Sequence, residues 1–82
     1  MTRIEISQGV FVACEMREEG ERYILECVLR RQGRLGLKIH EKLHDPSEIE
    51  EIASRPRWLG DESDKAVRRA LAMLAERMGV GG

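Results

Sequence analysis

The stretch RYILECVLRRQGRLGLKIHEKL, Arg22 to Leu43, alternates apolar and polar residues on both sides of one glycine-containing connection. Tyr23, Leu25, Cys27 and Leu29 form the apolar set of the first arm. Leu35, Leu37, Ile39 and Leu43 repeat it on the second. A period of two is the mark of half-buried strands, because successive side chains point to opposite faces. Both sets are odd, and directly opposed residues share a face, so the loop between them must hold an odd number of residues. Arg31-Gln32-Gly33 supplies three, with glycine last, where a left-handed backbone suits it. This pairs Leu29 with Leu35, Cys27 with Leu37 and Leu25 with Ile39.

Upstream, ISQGVFV (Ile6 to Val12) carries a similar tripeptide. Treating Ser7-Gln8-Gly9 as a hairpin loop pairs Ile6 with Val10 and Ile4 with Val12. The alternative is one long strand in which Gly9 marks a bulge; turn-length preferences favour the hairpin. Between Met16 and Tyr23 the apolar parity changes from even to odd, so the loop there must be even. Glu18 to Glu21, or its central Glu19-Gly20, meets that need and pairs Met16 with Tyr23 and Cys14 with Leu25.

The sheet is followed by HDPSEIEEIASRP. Asp45 suits an N-cap, Pro46 the first helical position, and Glu48 completes a capping box. Ile49, Ile52 and Ala53 share one face, and Pro56 ends the helix. A second helix starts at a cap on Asp61 or Ser63 and ends before Gly79. The predicted fold is α+β: a four-stranded antiparallel meander (about 2–6, 10–17, 22–30 and 34–43), a short helix (46–54) and a longer C-terminal helix (62–78) on one face. Residues 79–82 read as a flexible tail.

Eighty-two residues make one small domain. Hydrophobic residues at 41% suffice for one core, and charged residues at 35% suit a hydrated surface. No apolar run approaches the roughly 20 residues of a membrane span. MTRIEISQG lacks the apolar core of a secretory signal, so the expected location is the cytoplasm. A net charge of −1 gives no global pull toward nucleic acid or membrane. Cys14 and Cys27 could form one disulfide, but in this register they lie diagonally and read as buried, inert thiols. Neither a zinc pattern nor a phosphate-binding loop is present.

Two surfaces stand out as candidate sites. The apolar residues of the last helix cover about 200° of its circumference, more than one core stripe needs. Leu71, Met73 and Met78 on that helix, Trp58 in the connector, and Phe11 and Ile24 on the outward sheet face are the expected partner-binding residues. The outward face also carries Arg22, Arg30, Arg34, Lys38, His40 and Lys42. Residues 22 to 44 hold six Arg or Lys against Glu26 and Glu41. Such a face could track a phosphate backbone, although its only outward aromatic is Phe11, and Glu26 lies opposite Lys38. Gly36 could admit a close backbone approach, or relieve crowding opposite Val28. His40 and His44 should not converge, because one belongs to a strand and the other begins a turn. Glu48, Glu50 and Glu51 read as a helix surface rather than an acid–base pair.

The expectation is a non-enzymatic protein-interaction module that self-associates, as a dimer or with another protein, without cofactor or metal. Nucleic-acid binding through strands three and four is the alternative.

Overall fold

The computed structural model describes residues 2–55 and 60–80. Strands β1 (Thr2–Ser7), β2 (Val10–Glu19), β3 (Arg22–Arg31) and β4 (Arg34–Leu43) form one antiparallel sheet in the order β1-β2-β3-β4. A 3-10 turn (Pro46–Glu48) leads into α1 (Ile49–Ala53), and α2 (Asp61–Arg77) follows. This is the α+β meander with two C-terminal helices that the alternation implies. Trp58 lies outside the described residues.

The turns differ from expectation in an instructive way. Between β2 and β3 the connection is Gly20-Glu21, with Glu19 paired to Arg22. Gly20 has φ +65°, and glycine in the first of two turn positions is a favoured hairpin solution. The loop is even, as parity requires, but its centre moves by one residue. Met16 therefore faces Leu25, and Cys14 faces Cys27. The expected Met16–Tyr23 and Cys14–Leu25 pairs do not form, although no residue changes face. The two cysteines, expected as diagonal free thiols, instead have Cα atoms 4.1 Å apart and are joined by a disulfide.

The β3–β4 turn holds two residues, not three. Gln32 (φ +53°) and Gly33 (φ +81°) are both left-handed, the pattern of a tight primed turn. Arg31 pairs with Arg34 and Arg30 with Leu35; then Gly36 is skipped and Leu29 pairs with Leu37. An odd loop is thus replaced by an even turn plus one extra residue. A bulge of this kind exchanges faces for the residues between it and the turn. Leu35, expected in the core, faces outward and is 52% exposed. Arg34, expected outward, takes the face of Arg31. Glycine suits the bulge, since a Cβ on Gly36 would stand 3.3 Å from the Leu29 carbonyl oxygen.

Gln8-Gly9 is a hairpin turn, with Ser7 paired to Val10 and Ile4 to Val12. The long-strand alternative is thereby set aside. Here the extra residue is Ile6, so the Ile6–Val10 pair is replaced by a bulge. Ile6 nevertheless remains packed against the core.

Inward-facing Val12, Cys14, Leu25, Cys27, Leu29 and Leu43 meet Ile49 and Ile52 of α1 and Val67, Ala70, Leu71 and Leu74 of α2 in one core. Each large side chain fully buried there contributes about 1.5–3 kcal/mol. α2 packs across β1 and β2 and beside α1. No helix among the described residues is long and apolar enough to cross a membrane.

The helix ends are well tied. Asp45 Oδ1 accepts from the Ser47 N–H at 2.8 Å, and Glu48 Oε2 accepts from the Asp45 N–H at 2.7 Å. The expected capping box is present. Hydrogen bonds from Ser47 also hold the Asp45 carboxyl below its usual range. The α2 cap is not Asp61 or Ser63 but Gly60, whose carbonyl accepts the Asp64 N–H at 2.8 Å. Acidic Asp61, Glu62 and Asp64 lie in the first turn, where the helix dipole favours them. Arg68 of α2 donates to the carbonyls of Ala53 and Arg55, both at 3.2 Å, and so closes the C-terminal end of α1.

At the other end of α2, Gly79 (φ +74°) donates to Glu76 O at 3.1 Å and Val80 to Ala75 O at 2.9 Å. These bonds make a Schellman motif. Gly79 and Val80, expected in a flexible tail, are part of the helix cap, and Val80 packs on the core.

Candidate interaction surfaces

α2 buries more of its circumference than one stripe. Ser63, Asp64, Ala66, Val67, Ala70, Leu71, Leu74 and Ala75 are all covered, by the sheet on one side and α1 on the other. Part of the wide apolar sector is therefore satisfied within one chain. Leu71, expected at an interface, is fully buried. It lies in the core shared by the sheet and both helices, at the floor of the side of α2 that faces α1, and so is removed from the surface. Met73 and Met78 remain outside, 39% and 38% exposed.

Between α1 and α2 runs a groove of about 610 Å³. Ile49, Ala53, Leu71, Ala75 and Val80 form its apolar lining, and Ala72 is its exposed shoulder on α2. Glu50 on one side and Glu76 on the other supply its acidic rims. The groove is bounded by one side of α1 and by the C-terminal half of α2 with its Gly79-Val80 cap. Alternation and helical periodicity do not reveal such a gap. The Gly79-Val80 pair was the available signal, as an apolar residue directly after a C-terminal glycine often folds back onto its helix.

The outward face of the sheet is organised around Glu26, which alternation alone does not single out. Glu26 pairs in register with Glu15 and His40, not with Lys38. Lys38 still reaches it diagonally at 3.0 Å, and Arg17 donates to it at 2.6 Å. The hydrogen bond from Arg17, reinforced by Lys38, holds the Glu26 carboxyl down to about 2. His40 Nδ1 stands 3.8 Å away. Arg17 also lies 3.9 Å from Glu15 and 3.6 Å from Glu19. An anion therefore sits at the middle of the face expected to be basic.

Phe11 is half-buried, with the Arg3 guanidinium 3.6 Å above its ring centroid. One face of the ring is thus already occupied. Ile24 has outward parity but is only 3% exposed, so it is not a surface contact. Its register partners Arg17 and Lys42 carry stems long enough to cover it. Arg22, Lys38, His40 and Lys42 lie along β3 and β4 with at least part of each side chain in solvent, and Arg30 is half-buried beside exposed Leu35. Ala13, Val28 and Leu35 line a depression of about 270 Å³ on this face together with the charged Glu15, Glu26, Arg30 and Lys38.

His40 and His44 do not converge: His40 faces Glu26, while the His44 N–H donates to Glu48 at 2.6 Å. Among the described residues no group of three or more His, Cys, Asp or Glu side chains is arranged to hold a metal. Glu41, at an inward position of β4 opposite Leu25, is engaged by Arg55 in an ion pair. Comparison with protein-family models, with curated proteins and with solved structures returns no match.

Proposed function

We propose that this chain is a non-enzymatic protein-interaction module that self-associates through the outward side of α2. The observation that carries this reading is the groove between α1 and α2. It has an apolar lining and acidic rims, and outside it Met73 of α2 and the cap residue Met78 are exposed. Grooves of this kind accept an amphipathic helix, and exposed methionines adapt to such partners. Sedimentation velocity over a wide concentration range tests it. A rise in mass from monomer toward dimer is expected; a strict monomer at the highest concentration overturns it.

A second reading is nucleic-acid binding by the outward face of β3 and β4. In its favour, Arg22, Arg30 and Lys42 have no carboxylate within ion-pairing distance among the described residues. Against it stand the central Glu26 and the Arg3 guanidinium over one face of the Phe11 ring. Binding of a labelled single-stranded oligonucleotide at low salt, lost in Arg30→Ala with Lys42→Ala, would support it. No binding at low salt removes it.

A further inference from the structure

The self-association proposed above leaves open how two copies meet, and the charge pattern of α2 supplies an answer. Lys65, Arg69, Ala72 and Glu76 follow one another along its exposed side, at helical spacings of four, three and four residues. Placed at about 100° per residue, they occupy a stripe about 60° wide. The N-terminal half of the stripe is basic, its C-terminal half is acidic, and its centre is the smallest side chain in it. No carboxylate lies within ion-pairing distance of Lys65 or Arg69, and no cation within that distance of Glu76, among the described residues.

We infer that α2 docks antiparallel on the α2 of a second copy, about a two-fold axis beside Ala72. A two-fold interface brings one patch against itself, so the patch must complement its own rotated image. This stripe does. Arg69 lies three residues before Ala72, about 4.5 Å along the helix, and Glu76 lies four residues after it, about 6 Å along. Rotation about an axis beside Ala72 sets the Arg69 of one copy within about 1.5 Å, along the helix, of the level of the partner copy's Glu76. Both side chains lie to the same side of the contact line. The axis repeats the ion pair twice. A parallel arrangement would set Arg69 against Arg69 and Glu76 against Glu76, which like charges oppose. Ala72 allows the backbones to approach, Met73 flanks one side of the seam, and the α1–α2 groove flanks the other.

Charge reversal tests this directly, because all the altered side chains are exposed. Glu76→Arg alone and Arg69→Glu alone each place like charges together twice, and each should raise the dimer dissociation constant at least about tenfold. An equimolar mixture of the two variants should recover a dimer of mixed composition. In it the arginine introduced at position 76 of one copy meets the glutamate introduced at position 69 of the other, while the native pair forms on the far side of the axis. Sedimentation reads mass, and a mass tag on one variant reads composition. If the unaltered protein dimerises and either reversal leaves its dissociation constant unchanged, the docking geometry is wrong while self-association stands. The geometry is equally wrong if both reversals weaken the dimer but the mixture fails to recover it. If the unaltered protein never dimerises, the proposed function fails first and takes this geometry with it.

Discussion

Gln8-Gly9 and Gln32-Gly33 are the same dipeptide, placed side by side at one end of the sheet, yet they solve the hairpin problem differently. At Gln32-Gly33 both residues are left-handed, and the extra residue follows the turn, at Gly36. At Gln8-Gly9 only the glycine is left-handed, and the extra residue precedes the turn, at Ile6. The second turn also rests on the first. The Gln32 N–H donates to Gly9 O at 2.7 Å, and its Nε2 to Gln8 O at 3.2 Å. A Cβ on Gly9 would stand 2.5 Å from that Nε2, whereas a Cβ on Gly33 would meet nothing. Identical local chemistry thus acquires different roles from the strand that lies beside it.

The comparison can be broken with two alanines. Gly9→Ala imposes a left-handed backbone on a residue with a Cβ and also displaces the Gln32 amide, which removes a hydrogen bond worth about 1 kcal/mol. Its expected loss is about 2 kcal/mol. Gly33→Ala imposes only the backbone strain, partly offset by a stiffer unfolded chain, for a loss of about 1 kcal/mol. Urea unfolding midpoints for both variants decide the matter. Equal losses would mean that the contact between the turns contributes nothing to stability. At the bulge beside the first turn, Ile6→Ala should cost about 1–2 kcal/mol, because Ile6 keeps its core packing despite being unpaired.

Much of the fold was legible because parity is a strict constraint. Apolar residues at Val12, Cys14, Leu25, Cys27 and Leu29 had to share a face, and they do. The loop parities were right at all three connections, if an even turn plus a bulge is counted as odd. What parity does not report is where the odd residue goes. Arg31-Gln32-Gly33 as a loop and Gln32-Gly33 with Gly36 as a bulge put every residue beyond Gly36 on the same face and differ in face only for Arg34 and Leu35. The partners, however, slip by two: Cys27 meets Ile39 and not the expected Leu37, and Leu25 meets Glu41 and not the expected Ile39. The two-residue slip between β2 and β3 is silent for the same reason: it changes the partner of Cys14 without moving it to the other face. The candidate surfaces were less legible. Met73 and Met78 are exposed as expected, but Leu71 and Ile24 are not. Helical periodicity gives the width of an apolar sector and not which part of it a short neighbouring helix will cover. The role of Glu26 depends on Arg17 and Lys38 arriving from two other strands, a meeting that depends on register.

A smaller effect sharpens the reason why the turns touch. If Gln32 is why Gly9 tolerates no Cβ, the two positions are coupled. In a Gln32→Ala background the amide is gone, and Gly9→Ala should then cost about what Gly33→Ala costs. The double-mutant cycle would show a coupling of about 1 kcal/mol. Full additivity would place the crowding elsewhere and leave φ as the only distinction of Gly9.

The smallest expected effect is the most diagnostic of the bulges. Simple alternation puts Leu35 in the core, where truncation costs several kcal/mol; the bulge at Gly36 puts it outside, beside Arg30. Leu35→Ser should therefore shift stability by no more than about 0.5 kcal/mol, the usual range for surface changes. That is less than the loss at Ile6, the other residue displaced by a bulge beside a Gln-Gly turn. Leu35 and Ile6 are comparable in size and close to equivalent turns, so the difference between them isolates the position of the extra residue: on β1 it leaves the side chain packed inward, and on β4 it turns the side chain out. A loss of about 2 kcal/mol or more for Leu35→Ser would restore the three-residue loop and return Arg34 to the outward face.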